Sequence, residues 1–414
     1  MRVVHLNRSD TSGGAARAAW RLHQALRAEE IDSHMLVDSR TTGDWTVNVP
    51  KGHRAKTAAA LRPLIAAAVM RLQKSSNPVL HSPALLRSQA PRRLKQLYPD
   101  IAHLHWINGE MMSVRDIANL QSPAVWTLHD MWAFCGAEHY SVTDRWRAGY
   151  TKCNRPPDET GLDINAWVWR RKKKLWTDPV HIIAPSQWIA DCVKASALMS
   201  EWPVHVIPNA INTEIWAPFD RAQARMLLNL PQEPQLVLFG AIGGTRDKRK
   251  GPDLLEGVMT RLKGLVSQHT ELVILGQRQP KDNSTISRFP MHYMGHLYDD
   301  TTLRLLYSAA DVVLIPSRQD NLPNMAVEAA ACGVPVVAFN TGGLPDIVQH
   351  HQTGYLAQPF DVEDMARGIA WVLENPERHA DLANASVKRT QMRFAAPVVA
   401  AAHVALYKEI LSER

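Results

Sequence analysis

Apolar residues along the chain alternate between two rhythms. Short runs rich in Val, Ile and Leu give way to longer stretches where apolar positions recur every three or four residues, the periods of buried strands and amphipathic helices. The pattern predicts strands over RVVHL (2–6), HMLVD (34–38), IAHLHW (101–106), AVWTLH (124–129), HIIAPS (181–186) and VHVIP (204–208). Helices fall between them, for instance over 14–28, where Trp20, Leu22 and Leu26 repeat at helical spacing. After IPNAINTEIWAP (207–218) the alternation restarts with QLVLFGA (235–241), ELVILG (271–276), HYMGHL (292–297), VVLIPS (312–317) and VPVVAF (334–339). Near-continuous apolar strands spaced by helices form parallel sheets covered on both faces. Two such series predict an α/β chain of two Rossmann-like, doubly wound domains facing a central cleft, over 1–207 and 208–390, with a further helix in 391–414. Ligands bind such sheets beyond the carboxyl ends of the strands, so the loops there are the places to look for chemistry.

Composition narrows the class. A length of 414 residues suits two domains, and 45% hydrophobic with 21% charged residues is an ordinary globular balance. No run reaches the roughly 18 apolar residues of a spanning helix, and MRVVHLNRSD lacks the apolar core of a signal peptide. Cys135, Cys153, Cys192 and Cys332 are too few and too scattered for a disulfide framework. The expectation is a soluble, reduced, cytoplasmic protein.

Charge is unevenly spread. Residues 1–205 carry 27 basic and 18 acidic side chains, against 20 and 22 in the remainder, and residues 51–95 hold ten Lys and Arg with no acid. Within that window AKTAAALRPLIAAAVMRLQK (55–74) is a helical stretch with Leu61, Leu64, Ile65, Ala68 and Leu72 near one face and Pro63 interrupting it. Such a segment suits an anionic membrane surface; it equally suits a helix packed on a core face with a solvated basic side. Basic residues without interleaved aromatics, and without any nucleic-acid-binding signature, argue for no nucleic acid as partner. Twelve of the 13 Trp lie at or before Trp216, as core or cleft-wall residues able to stack on sugars. INAWVWRRKKKLW (164–176) reads as an exposed helix whose five consecutive basic residues face solvent.

Four strand-end loops carry candidate chemistry. In SDTSGGAARAAW (9–20), Gly13 and Gly14 allow close backbone approach at a helix start. WTLHDMW (126–132) places His129 and Asp130 at a strand end, with His103 and His105 in a similar position; Asn108 and Glu110, in the loop after them, suit a hydroxylated acceptor. FGAIGGTRDKRKGPDLL (239–255) gathers Arg246, Arg249 and Lys250 with three glycines before a helix, a phosphate site that needs no metal. In IPSRQDNLPNMAVEAAACGVPVVAFNTGGLPDIV (315–348), Pro323 fits a first helical turn. Asp320 then lies above the helix N-terminus and Glu328 on the helix below, two heights that suit two sets of sugar hydroxyls. Thr341-Gly342-Gly343 repeats the strand–glycine–helix device.

The fourth stretch resembles the nucleotide-sugar site of glycosyltransferase family 4, retaining enzymes of GT-B fold. There a Glu, seven residues and a second Glu follow a Pro-Ser strand end, then E-A-x-A-x-G-x-P-V-V-A and a Gly-Gly turn. The third loop resembles the family's Arg…Lys-Gly diphosphate element, and IPNAIN (207–212) its interdomain segment. SGGAARAAWRLHQAL and HLHWIN…VWTLHDMWAFCGAEHY are similar to a subgroup that builds bacterial exopolysaccharides, such as colanic-acid-type transferases. The resemblance implies that Glu328 binds the ribose and that Asp320 holds the donor sugar with the amides of Asn321 and Leu322. Lys250, with Arg246 or Arg249, neutralises the diphosphate, His129 contacts the sugar near the reacting carbon, and Gly14 admits diphosphate or acceptor. His129, Asp320 and Lys250 are then the catalytic set.

Four departures stand out. Asp320 replaces the commoner Glu, Asn321 replaces Gly, Arg246 precedes Lys250 by four residues rather than five, and only Cys153 matches a cysteine cluster found in relatives, which argues against zinc. The resemblance implies transfer from a UDP- or GDP-sugar to a glycan or polyprenyl-diphosphate-linked acceptor, with retention, without metal or other cofactor, in cell-surface polysaccharide synthesis (exopolysaccharide or lipopolysaccharide) at the inner face of the plasma membrane. It also implies that the C-terminal helix packs back on the first domain. The competing readings are a sugar-nucleotide epimerase or hydrolase of the same fold, a catalytically silent sugar-nucleotide-binding scaffold of an assembly complex, and an NAD-dependent dehydrogenase, whose G-x-G-x-x-G fingerprint is missing.

Overall fold

The computed structural model describes residues 1–75, 77–240, 247–279 and 289–413. Among the described residues nine strands lie in the first half: β1 (Arg2–Leu6), β2 (Asp32–Leu36), β3 (Val47–Asn48), β4 (Gln73–Lys74), β5 (Ile101–Leu104), β6 (Ala124–Thr127), β7 (Thr160–Gly161), β8 (His181–Ala184) and β9 (Val204–Val206). Seven of them form a parallel sheet in the order β3-β2-β1-β5-β6-β8-β9, while β4 and β7 pair antiparallel apart from it. The second half contributes β10 (Gln235–Gly240), β11 (Thr270–Leu275), β12 (Met291–Gly295), β13 (Val312–Ile315), β14 (Val336–Phe339) and β15 (Gly354–Ala357), a parallel sheet in the order β12-β11-β10-β13-β14-β15. In both sheets the strand order reverses beside the first strand of the series, the doubly wound arrangement whose switch point lies at that strand's carboxyl end.

Eleven of these strands form where the apolar runs predicted them, and β3, β4, β7 and β15 lie outside those runs. Residues of β5, β6, β13 and β14 are buried throughout, as expected of strands covered on both faces. Most tryptophans are interior: Trp126, Trp132, Trp146, Trp169, Trp176 and Trp202 join one core of the first unit.

The chain divides into a first unit of Met1–Ala210 with Val399 onward, and a second of Ile211–Val398. The divisions fall three and eight residues beyond the expected 207 and 390. The helix Pro376–Arg393 stays with the second unit, where Arg389 donates to the carbonyls of Ile347 and Asp346 and Arg393 pairs with Asp346 at 2.7 Å. The last helix, Ala396–Ser412, supplies the first unit with Tyr407, whose hydroxyl lies 2.7 Å from His103 Nδ1.

Two expectations are corrected. The helix His53–Met70 runs unbroken through Pro63, buries only the small Ala59 and Ala66, and leaves Leu61, Leu64 and Ile65 at 50%, 66% and 50% exposure. Its apolar row therefore faces away from the core. In the helix Ile164–Leu175, Lys172 is fully buried rather than solvated. Its ammonium donates to the carbonyls of Trp132, Cys135 and Gly136, closing the turn after Trp132, and burial pulls its pKa down to about 7. Among the described residues no helix is long and apolar enough to cross a membrane.

Candidate functional site

In the second unit the loops after β10 and β13 are fastened together. Lys248–Lys250 form a 3-10 turn capped by Asp247, whose carboxylate accepts from the Arg249 amide at 3.1 Å. Gly251 follows at φ +69°, where a Cβ would overlap the Pro316 carbonyl oxygen, so glycine permits both the left-handed backbone and the close approach. The Arg318 amide donates to the Arg249 carbonyl at 2.8 Å, while its guanidinium donates to the Lys248 carbonyl and grips Asp253 with two 2.7 Å bonds.

This clamp brings together residues 70 positions apart. The Lys250 ammonium donates to Asp320 Oδ2, and Arg249 Nη1 lies 3.7 Å from Asp320 Oδ1 while donating to the Gln319 carbonyl at 2.8 Å. Burial pushes the Asp320 carboxyl up, yet Lys250, then Arg249, and the Asn321 amide outweigh it and hold the pKa below the usual range. Asp320 is therefore an ionised, nearly buried carboxylate shared by two cations. Its backbone is fixed by the glycine turn: Gly343 N–H donates to the Asp320 carbonyl at 2.9 Å, and Gly342 sits at φ +59° where a Cβ would overlap that same oxygen.

Asn321 and Leu322 are buried beside it, and Pro323, at φ −64° and ψ 119°, caps the helix Asn324–Ala331 rather than lying in its first turn. Glu328, also buried, accepts a 2.8 Å hydrogen bond from the Tyr307 hydroxyl. Asp299 caps the helix Asp300–Ala309 by accepting from the Thr302 amide at 2.7 Å, the ordinary role of an Asp just before a helix. Arg246, with Gly243 and Gly244, lies outside the described residues.

In the first unit Gly13, at φ +95°, caps the helix Gly14–Ala28, and Gly14 is exposed at its first position. His129 follows β6, half-buried, with Nε2 3.1 Å from His105 Nδ1. Burial lowers its pKa to about 4 against the opposing pull of Asp130. Asp130 itself accepts from Trp106 Nε1 at 3.0 Å and from the Trp132 amide at 2.9 Å, and contacts His139 Nδ1 at 2.6 Å.

The acceptor assignment of Glu110 is corrected. Glu110 is fully buried at φ +62°, and its Oε2 accepts from the amides of Leu85 and Leu86 at 2.8 and 2.7 Å. It anchors the 84–86 loop and has no face toward a ligand; burial raises its pKa despite those bonds. Asn108 is buried as well, its amide nitrogen without a hydrogen-bond partner among the described residues.

Sequence reasoning passed over Arg318, Tyr307 and His5. Arg318 stands two residues before Asp320 and was within reach of the same reading. Tyr307 is 21 residues before Glu328 on another helix, and nothing local signals their contact.

Known protein families match both halves of the chain. Residues 12–215 match the family model described as Glycosyltransferase Family 4, and residues 225–389 that described as Glycosyl transferases group 1. A D-inositol 3-phosphate glycosyltransferase of Segniliparus rotundus is 30% identical over 217 residues, 50% of this chain and 47% of the relative. The protein of that description from Acidothermus cellulolyticus is 26% identical over 434 positions, covering 100% of this chain and 90% of the relative. The chain spans about half the length of several curated relatives it matches. Among solved structures, sucrose-phosphate synthase from Thermosynechococcus elongatus aligns over 100% of both chains with a TM-score of 0.68 at 18% identity. Anabaena HepE, solved in complex with UDP-glucose, aligns over 100% of both with a TM-score of 0.66 at 16% identity. These structural likenesses are of fold, and the fold is GT-B.

Proposed function

Because the chain belongs to the GT-B glycosyltransferases of family 4, we propose that it transfers a sugar from a UDP- or GDP-sugar to a glycan or polyprenyl-diphosphate-linked acceptor, with retention and without a metal ion, in the synthesis of a cell-surface polysaccharide. The observation that carries this reading is the pair of half-buried Lys250 and buried Asp320 set against the start of the helix that bears Glu328. Departure of the nucleotide builds negative charge on the diphosphate and positive charge on the sugar ring. Lys250 and Arg249 are preorganised cations for the first, the kind of electrostatic stabilisation that supplies the largest catalytic term in many enzymes. Asp320 takes sugar hydroxyls, Glu328 the ribose, and neutral His129 polarises the transferred sugar without acting as a nucleophile. The leaving phosphate takes the acceptor proton on the same face.

The exposed row of Leu61, Leu64 and Ile65 beside Arg54, Lys56 and Arg71 supports a peripheral, cytoplasmic-face membrane location for the acceptor side. Paired Leu64→Asp and Ile65→Asp substitutions are expected to abolish sedimentation with phosphatidylglycerol vesicles while leaving the melting temperature unchanged. Equal sedimentation of variant and wild type would remove this helix from the account.

The deciding experiment is thermal shift and slow hydrolysis with UDP-glucose, UDP-N-acetylglucosamine and GDP-mannose, with and without EDTA. One donor that stabilises the protein and turns over in EDTA is the expected result. Silence from all three, also with lipid extract added, favours the scaffold reading.

A further inference from the structure

The first sheet buries a line of imidazoles. The register of β1 on β5 sets His5 beside His103, and the alternation along β5 brings His105 to the same face. His5, His103 and His105 are at most 3% exposed. His5 Nδ1 lies 2.9 Å from His105 Nε2, and His105 Nδ1 lies 3.1 Å from His129 Nε2. At the inner end, His5 Nε2 is buried and has no hydrogen-bond partner among the described residues.

A cation does not account for this cluster. His5, His103 and His105 offer nitrogens within 4.8 Å of one another, but a zinc ligand must aim a free lone pair at the ion. His103 already commits Nδ1 to Tyr407 and Nε2 to Thr127, each at 2.7 Å, and its ring stacks on His105 with centroids 4.1 Å apart. Stacked rings direct their in-plane lone pairs side by side rather than to one point.

The line behaves instead as a hydrogen-bonded wire. A neutral imidazole has one N–H and one lone pair, so His105, bonded at both nitrogens, must donate on one side and accept on the other. The proton positions of all three rings are then locked together. If the protons sit on Nδ1, His5 donates to His105, His105 donates to His129, and a bare lone pair is left at His5 Nε2. If they sit on Nε2, an unpaired N–H is buried there, the rarer kind of defect in folded proteins. We propose that His105, itself oriented by His5, is a positioning residue that holds His129 with its proton on Nδ1, so that His129 meets a bound sugar as a hydrogen-bond donor. His129 Nδ1 has no partner among the described residues, and His105 and His129 border one recess together with Thr127, Asn209 and His403. The charged group closest in sequence, Asp130, is occupied by Trp106, Trp132 and His139 and does not compete for that proton. His403 gives its Nδ1 to the Val399 carbonyl at 2.8 Å and stays outside the wire.

The catalytic meaning rests on the proposed role of His129; the proton position does not. In full-length protein labelled with 15N-histidine, two-bond 1H–15N correlation at pH 7.5 reads each tautomer directly. The expected spectrum shows neutral His105 and His129 protonated on Nδ1. His105→Phe, which cannot donate, should release His129 to a mixture, and His105→Gln, whose amide can, should restore the Nδ1 form. With the donor that passes the hydrolysis panel, His105→Phe should lower kcat by at least about tenfold with KM within about twofold, and Gln should recover most of the loss. Wild-type His129 protonated on Nε2, or a His129 tautomer unmoved by His105→Phe, would overturn the wire. Should the Phe variant fail to fold, the wild-type spectrum alone decides. Unchanged turnover in His129→Ala would instead sink the assigned role of His129 and leave the spectrum to judge the wire.

Discussion

Lowering the pH from 7.5 to 5 should destabilise the first unit strongly. His5, His103 and His105 are held well below the ordinary histidine pKa by burial, then by one another and by neighbouring histidines, and His23, His129 and His403 are lowered to about 3, 4 and 4, with burial the leading cause in each. All six lie in that unit. Each folded pKa is depressed, so the unfolded chain takes up protons first, and stability present above about pH 6.5 is lost as pH falls. A histidine that stays neutral in the fold costs about 1.4 kcal/mol per pH unit below its unfolded pKa, or about 2 kcal/mol at pH 5. His23, His129 and His403 together then remove about 6 kcal/mol, and the three others act in the same direction. That is comparable to the whole stability of a typical domain, about 5–15 kcal/mol. Asp38, Glu110 and Glu159, whose pKa values are raised chiefly by burial, oppose the trend. Depressed carboxylates such as Asp44, at about 2, contribute only at lower pH. Urea unfolding followed by tryptophan fluorescence is the suitable assay, because eleven of the 13 Trp lie in the first unit. His403→Leu should shrink the difference between pH 7.5 and pH 5 by about 2 kcal/mol. A difference below about 1 kcal/mol in wild type would refute the reasoning.

Three further outcomes follow from particular contacts. Lys250→Met removes the nearer cation from Asp320 and leaves Arg249 at 3.7 Å; sugar-nucleotide turnover should fall by about 100-fold or more, and isothermal titration should show weakened donor binding. Gly342→Ala forces a Cβ onto the Asp320 carbonyl at a positive φ, which should cost about 1–3 kcal/mol in chemical denaturation and weaken the donor as well. Arg225→Ala leaves the buried Asp311 with Arg221 and the Leu236 amide but removes its 2.6 Å bond to Arg225 and frees the Ala309, Gln232 and Pro234 carbonyls. It should cost about 1–3 kcal/mol while donor affinity in the surviving folded protein is unchanged, since Asp311 precedes β13 at the amino end of the sheet.

The strands were legible because burial on both faces leaves an apolar run with little else in it, as in VVLI and VVAF. β15 escaped notice: GYLA begins with a glycine that packs on the Val336 carbonyl, and two of its four residues are only partly buried. Composition misled at Lys172 and Glu110, where a charge in a polar stretch reads as solvated or ligand-facing. Both are buried because backbone groups distant in sequence, at 132–136 and 85–86, need a donor or an acceptor there. The donor loops were found through their glycines and charges, but the reason for Gly251 and Gly342 is steric. Pro316 and Asp320 carbonyls occupy the space a Cβ would take, and no local pattern encodes such a contact. His103 and His105 share a strand face by simple alternation, whereas His5 joins them only through the register of β1 on β5.

The two strand-end sites divide the electrostatic labour of the proposed reaction. In the second unit Lys250 and Arg249 set cationic charge where the diphosphate of the proposed reaction gains negative charge, and the ionised carboxylate of Asp320 balances part of it before donor binds. In the first unit the residue assigned to the sugar is an imidazole whose pKa of about 4 keeps it uncharged at neutral pH. The difference matters because the sugar ring becomes cationic in the transition state. An imidazolium about 4 Å from that ring would oppose it by roughly 4 kcal/mol at an effective dielectric constant of about 20, close to a thousandfold in rate. A neutral ring donating from Nδ1 polarises a sugar hydroxyl without that penalty. Burial of His129 and its bond to His105 thus answer a single requirement: a hydrogen-bond donor that carries no charge.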